Sequence, residues 1–248
     1  DVRTVCQAAR QAGAISFVDA VHYAPHFALD VQDVGCDFMA CSPYKFFGPH
    51  CGMLFGRKEL MSLLSAYRMR VQTDDLPTED TWQISRWELG TQNYEALAGL
   101  TACVDYIASV GDRFGSVPAS STRRERIVAG WQAIQEHETA LKIRFLTGIS
   151  KIPGMRVFGI TDLAQTEYRT STFAVGKVDP KTNELVDPDS LTKFITSQGV
   201  FCTSGNHYCT WWEALTGLNN QDGATRISFL HYNTEEDVDK VLEVLRAA

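Results

Sequence analysis

Two residues in the first fifth of the chain could do chemistry together. Lys45 follows the apolar run 37–41 and the polar cluster Ser42-Pro43-Tyr44, and Asp19 closes the β-rich apolar run 15–18. A lysine held between Pro43 and Gly48-Pro49 has restricted motion and partial desolvation. Both suit an amine to Schiff-base chemistry by lowering its pKa. A nearby carboxylate is what the ring nitrogen of pyridoxal phosphate (PLP) needs to stay protonated, so that the ring can act as an electron sink. His22, three residues after Asp19, could hydrogen-bond the phenolic oxygen of such a cofactor, and the hydroxyls of Ser42 and Tyr44 could reach its phosphate. On spacing alone the plainer reading is favoured: Lys45 as a surface loop lysine and Asp19 as a helix cap.

Those residues need elements to position them. Residues 1–12 have helical spacing, with Val2, Val5 and Ala9 on one face and Gly13 as terminator. Runs 15–18, 37–41 and 51–55 are short and almost wholly apolar, and they alternate with helical segments. That pattern predicts an α/β sheet covered on both faces. In such sheets ligands gather beyond the carboxyl ends of strands, where Asp19 and Lys45 fall. Residues 58–66 read as a short helix and 73–80 as an exposed acidic loop. From 93 to 110, Leu97, Leu100, Val104 and Ile107 recur every three or four residues, as in an amphipathic helix. Residues 111–119 read as a boundary, followed by a long helix over 122–150 with Ile127, Trp131, Ile134, Leu141, Phe145 and Ile149 on one stripe. Beyond Pro153-Gly154 the pattern is an α+β module of mixed strands: strands at 156–160, 169–175, 200–203 and 225–230, and a helix at 188–198. A last helix opens on Thr234, with Asp237 completing a capping box.

Composition narrows the function classes. The 248 residues, 44% hydrophobic with 18 Gly and 8 Pro, are ordinary for a globular chain, which excludes disordered and fibrous classes. No apolar run approaches the ~20 residues of a membrane-spanning helix. A net charge of -7 with no Lys/Arg block argues against nucleic acid or an anionic membrane as partner. The cysteines (6, 36, 41, 51, 103, 202, 209) form no CxxC pair, and no N-x-S/T sequon is present, so a reducing cytoplasm is expected. Cys41 and Cys103 sit in apolar runs and read as small buried hydrophobes. Because the chain begins at Asp1, a processed product or a fragment is expected.

Four ordered segments carry a resemblance. They are Phe17-Val18-Asp19-Ala20-Val21-His22, Cys41-Ser42-Pro43-Tyr44-Lys45-Phe46-Phe47-Gly48-Pro49, Arg86-Trp87-Glu88-Leu89-Gly90-Thr91-Gln92-Asn93, and the closing stretch from Thr225 to Thr234. Together they resemble fold-type I PLP enzymes, specifically the class V aminotransferases, with the cysteine desulfurase-like branch nearest. The resemblance implies the C-terminal part of an aspartate aminotransferase-like large domain with a mixed, mostly parallel sheet, plus a smaller α+β domain. Residues 1–117 would be the cofactor-lysine half of the large domain, and 118–248 the small domain with its long connecting helix. It further implies that Lys45 forms the Schiff base, that Asp19 pairs with the pyridinium, and that His22 stands where the superfamily commonly has Gln. Ser42 and Tyr44 match phosphate contacts, and Thr91 matches a residue reaching the phosphate of a neighbouring subunit, which implies a homodimer with shared sites. Arg226 would grip an amino-acid substrate's carboxylate, a group that a bidentate guanidinium fits. Asn206 would line the substrate side, and Glu88 is read as structural.

One departure limits what the resemblance implies. Desulfurases carry their nucleophile in a loop of the form T-G-H-H-C-A, and here the matching loop is Ser204-Gly205-Asn206-His207-Tyr208-Cys209. The nucleophile's place falls on Tyr208, with Cys209 one residue later and Cys202 as a further thiol. Cys209 reads equally as a plain thiol beside Trp211 and Trp212. The expected activity is therefore that of a PLP enzyme, a lyase or transferase acting on an amino acid, with the sulfur-accepting cysteine displaced or absent and no metal required. The alternative is a non-catalytic or truncated homologue kept for dimerisation or regulation, since the family's phosphate cradle and ring-stacking residue precede the segment matching Asp19. A cysteine-based sulfur or redox carrier without PLP ranks last for want of an activated thiol.

Overall fold

The computed structural model describes residues 1–67, 87, 90–209, 211 and 223–248, and forms two compact units, Asp1–Gln132 and Ala133–Ala248. The expected acidic loop at 73–80 and Glu88 lie outside the described residues, as do Arg86 and Leu89 of the third segment.

The first unit opens with helix α1 (Val2–Gln11), whose end is capped by Asp1 accepting a hydrogen bond from the Thr4 amide. Strand β1 (Phe17–Asp19) follows, then a single helical turn α2 (Val31–Val34) closed by Gly35 in the left-handed region at φ 69°. Next come β2 (Phe38–Cys41), a 3-10 turn (Pro43–Lys45), β3 (Met53–Gly56) and α3 (Lys58–Leu63). The sheet order is β1-β2-β3, with β1 parallel to β2 and β3 antiparallel to it. Cys6, Ala20, Cys36 and Met39 form its small buried core. Opposite that core Phe38 is buried at 7% exposure, while its cross-strand neighbour Phe17 is 61% and Leu54 60% exposed. The expected cover on both faces is thus only partly met among the described residues.

One carboxylate ties this unit together. Buried Asp37 accepts from the Ser16 amide and hydroxyl, both at 2.9 Å, and from the Arg57 guanidinium at 2.9 Å. The Ser16 amide, ahead of Arg57, holds its pKa below the usual carboxylate value. Removing it in Asp37→Ala leaves buried donors unpaired, and we expect a loss of about 1–3 kcal/mol in chemical denaturation. Because the folded pKa is depressed, this contribution is complete above the unfolded value of about 3.9 and fades as the pH falls through the folded one.

Helix α4 (Tyr94–Phe114) starts at Asn93, whose side chain accepts from the Ala96 amide. It runs through Gly111, where a boundary is expected from sequence, because Gly111 lies against the next helix rather than in a loop. A Cβ at Gly111 would stand 2.0 Å from the Arg126 carbonyl oxygen. That next helix, α5 (Arg123–Ile149), matches the predicted long helix, and the division between the two units falls within it.

The second unit contains β4 (Met155–Phe158), a 3-10 segment (Leu163–Tyr168), β5 (Thr172–Lys177), α6 (Pro188–Ser197), β6 (Thr203–Gly205), β7 (Ala224–Ser228) and α7 (Glu235–Ala247). Its sheet order is β4-β5-β7-β6, and all three pairings are antiparallel. The expectation of mixed strands is corrected: β6 takes the far edge after α6, and β7 returns between it and β5. Phe145, Phe173 and Phe229 form the aromatic centre of the core, with ring centroids 4.4–6.1 Å apart. The capping box of Thr234 and Asp237 is present at the start of α7. Lys142 is buried and donates to the main-chain carbonyls of Thr166 (3.0 Å) and Arg169 (3.3 Å), fastening the 3-10 segment to α5.

Candidate active site

The β1–β2 register decides where the chemistry-bearing residues of the first unit lie. Asp19 is opposite Ala40 in the parallel pair, so β1 ends at Asp19 and β2 ends one residue further along, at Cys41. Ser42, Tyr44 and Lys45 leave the sheet from that same carboxyl edge. Lys45 ends the 3-10 turn, its amide donating to the Ser42 carbonyl at 2.9 Å. Pro43 at the turn's first position is buried and supplies the fixed φ such a turn needs. Phe47 then adopts φ 75°, an unusual conformation for a bulky residue, and Gly48 passes within 3.0 Å of Pro43 at its would-be Cβ.

The side chains are open to ligand. Asp19 accepts the Val21 amide at 2.9 Å through Oδ1, so it caps the following turn as the plainer reading expects, and the residue is exposed. His22 is exposed and its ring lies 5.8 Å from that of buried His26. Lys45 is exposed, with Nζ 5.9 Å from the Tyr44 ring centroid, so the expected partial desolvation of the amine is not seen. His50, which sequence reasoning did not single out, stacks on Tyr44 at 5.0 Å and 14°. Its position directly after Gly48-Pro49 was the available signal. Thr91 is exposed two residues before the cap of α4, where helix amides favour an anion.

The second unit carries the other set. Arg226 is exposed on β7, opposite Ala174 of β5 and Thr203 of β6. The loop after β6 turns tightly: the Cys209 amide donates to the Asn206 carbonyl at 2.8 Å, and the Tyr208 amide to Asn206 Oδ1 at 3.0 Å. His207 and Tyr208 both have positive φ, 50° and 67°, and Tyr208 is 99% exposed. Asn206 is thereby engaged in shaping the loop. Cys209 is half-buried, whereas Cys202 packs on the core and burial pushes its thiol pKa up, against a nucleophilic role. His207, passed over as part of the loop, lies 3.3 Å from the Ala224 carbonyl. Burial, and then the charge of Arg226, push its imidazole pKa down.

His231 is likewise pushed down, first by burial. For both imidazoles the unfolded chain takes up protons more readily than the folded one below about pH 6.5, so stability falls as the pH drops. The thermal midpoint should decline from pH 8 to pH 5, and His231→Phe should flatten part of that decline. An unchanged slope would count against the assignment.

The model of the family Aminotransferase class-V matches residues 1–114 and 126–241. The chain belongs to that family. Class-V aminotransferases are PLP enzymes, so PLP is the cofactor against which the site is to be judged. The Aminotransferase-like protein FGM3 of Gibberella zeae is 29% identical over 238 residues, covering 94% of this chain and 51% of that protein. A probable cysteine desulfurase of Halalkalibacterium halodurans is 27% identical over 249 residues, covering 98% and 53%. The chain thus spans about half the length of the curated relatives it matches. Among solved structures, a cysteine desulfurase of Thermococcus onnurineus NA1 superposes with a TM-score of 0.76 at 23% identity, over 100% of this chain and 55% of that one. The cysteine desulfurase CsdA of Escherichia coli gives 0.73 at 23%, over 100% and 54%. These likenesses establish the fold-type I α/β architecture.

The class-V cofactor and this donor set agree chemically. An exposed amine, an exposed carboxylate and two hydroxyls share the carboxyl edge of one parallel strand pair. Among the described residues no group of three or more His, Cys, Asp or Glu could hold a metal ion, and no helix is long and apolar enough to cross a membrane.

Proposed function

We propose that the chain carries the lysine-bearing part of a PLP enzyme acting on an amino acid, cysteine desulfurase- or selenocysteine lyase-like in its chemistry. The observation that carries this reading is the common edge of Asp19 and the Ser42–Lys45 turn, fixed by the register Asp19↔Ala40. When bound, PLP supplies an electron sink for the substrate's Cα. Lys45 would hold the cofactor and, once released by the substrate amine, its own amine would take and return the proton at Cα. Asp19 would keep the ring nitrogen protonated through its carboxylate. His22 would donate to the phenolic oxygen, and Ser42 and Tyr44, with Thr91 across a homodimer, would hold the phosphate. Arg226 would pair with the substrate carboxylate, with Asn206 shaping the adjoining loop. The cysteine usage supports a cytoplasmic setting.

Cys209 is the sulfur acceptor only if its loop can bring the thiol to the substrate, since attack requires near-contact geometry. With Tyr208 in the nucleophile's place, elimination, epimerisation or amino transfer shares the same first steps. The second reading, a non-catalytic homologue kept for dimerisation or regulation, draws on the open apolar strand residues Phe17 and Leu54.

The separating experiment is to add PLP to the protein and record the visible absorbance of lysine-bound cofactor. Its absence would sink the enzyme reading for this 248-residue chain taken by itself. Given the band, L-cysteine is added and sulfide, pyruvate and alanine are assayed. Sulfide release lost in Cys209→Ser supports the displaced nucleophile, and undiminished release removes it. Arg226→Ala should raise KM for carboxylate-bearing substrates by about 10- to 100-fold, as expected for a lost charge-assisted pair. An unaltered KM would reject that role.

A further inference from the structure

The turn bearing Lys45 is short, with Tyr44 and Lys45 exposed, and its backbone hydrogen bonds are local, to the Ser42 and Pro43 carbonyls. What holds it in place comes from a helix far along the chain. Cys103 of α4 is 4% exposed, and its thiol donates to the carbonyl of Phe46, the residue directly after Lys45, at 2.8 Å. One helical turn earlier, Gly99 faces Pro49, where a Cβ would stand 3.3 Å from the ring's Cγ. One turn later, Tyr106 meets Phe47 edge to face at 5.7 Å and 72°. Positions 99, 103 and 106 share one helix face, being four and three residues apart. They meet residues 49, 46 and 47, which make up the exit from the lysine turn.

We propose that this face of α4 is the positioning surface for Lys45, with Cys103 as its polar anchor and Gly99 and Tyr106 as its steric stops. The idea rests on the catalytic reading of Lys45 given above and adds residues that touch neither cofactor nor substrate. Each contact has a physical task. Phe47 sits at φ 75°, a conformation that an unsupported Phe would leave readily, and the Tyr106 ring closes one escape. The Phe46 carbonyl is turned inward beside a buried side chain and needs a donor, which the Cys103 thiol provides. Burial, reinforced by neighbouring Cys51, pushes that thiol's pKa up, so it stays protonated and remains a donor at neutral pH. Gly99 lets Pro49 approach the helix backbone, and a Cβ there would already press on the Pro49 ring. Since the amine is at the end of this turn, a loose exit would spread Lys45 Nζ over positions unsuited to a bound ring.

Hydrogen exchange of the cofactor-free protein tests this without reference to activity. In Cys103→Ala the amides of Lys45, Phe46 and Gly48 should exchange about 3- to 10-fold faster, the effect of one modest hydrogen bond, while those of α1 keep their wild-type rates. Cys103→Ser retains a donor at the same position on a slightly shorter side chain and should return the rates to near wild type. Gly99→Leu should speed the same amides. Unchanged rates at 45–48 in Cys103→Ala, a uniform rise across the first unit, or failure of Cys103→Ser to restore them would each overturn the proposal. The visible band of lysine-bound cofactor provides an independent reading. Its pH midpoint should shift in Cys103→Ala and be restored in Cys103→Ser. If the wild type shows no band, the catalytic reading of Lys45 fails, and the exchange rates still decide whether α4 holds the turn.

Discussion

Replacing Lys45 with Ala is expected to abolish the visible absorbance of lysine-bound PLP and to lower kcat by about 10²–10⁴-fold, the usual effect of removing a group that moves a proton in the transition state. The expectation is specific to this lysine. Lys142 has the amine whose pKa burial depresses, yet its Nζ is committed to two main-chain carbonyls in the second unit. Lys58 is exposed at the start of α3, after β3, which runs antiparallel to β2. Lys45 alone among these follows a buried parallel strand, beside the strand that ends in a carboxylate. Lys58→Ala should therefore leave the absorbance intact. Borohydride reduction followed by peptide mapping should place the cofactor label on Lys45, and a label elsewhere would refute the assignment.

The second large effect concerns folding. Gly111→Ala and Gly130→Ala should each destabilise the first unit by about 3 kcal/mol, toward the upper end of the overpacking range. In an exposed helix the same change stabilises by roughly 1 kcal/mol, so the sign itself is diagnostic. The reason is contact between backbones. A Cβ on Gly111 would stand 2.0 Å from the Arg126 carbonyl, and one on Gly130 would stand 2.2 Å from the Ile107 carbonyl. Neither obstacle can move without parting α4 from α5. Gly148→Ala provides the contrast: its Cβ would meet Leu242 Cδ1 at 2.2 Å, and a side-chain end can rotate aside. Urea denaturation should rank Gly148→Ala well below the other two, and equal costs would show that the helix crossing is softer than its geometry implies.

Parts of this architecture were open to reading in one dimension. The helix of 93–110 showed its apolar spacing and appears as α4, and the Thr234–Asp237 box formed as its side-chain types required. Both are signals carried within a few residues, where periodicity and capping act. Errors fell where partners distant in sequence decide the outcome. A Gly-containing stretch at 111 read as a break because the same residue type serves turns and close helix contacts, and only α5 shows which applies. The strand expected at 200–203 formed at Thr203–Gly205, since its register is set by β7, about twenty residues further on. The expected desolvation of Lys45 rested on flanking prolines and glycines, but burial depends on whatever covers the turn.

For the site, spacing alone favoured the plainer readings; the resemblance carried by four ordered segments indicated the family and implied roles for Asp19, His22, Ser42, Tyr44, Lys45, Thr91 and Arg226, because a chemistry constrains which side chains appear and in what order. The sequence alone therefore indicated the family to which the chain belongs. The tertiary structure decided what linear order cannot express. A parallel register brings Asp19 level with the start of the lysine turn, and Asn206 is spent on shaping its own loop. A helix face some sixty residues downstream holds the turn, through contacts that no local pattern encodes. Side-chain type is written residue by residue. Proximity is set by strand pairing and helix packing, which depend on the whole folded chain.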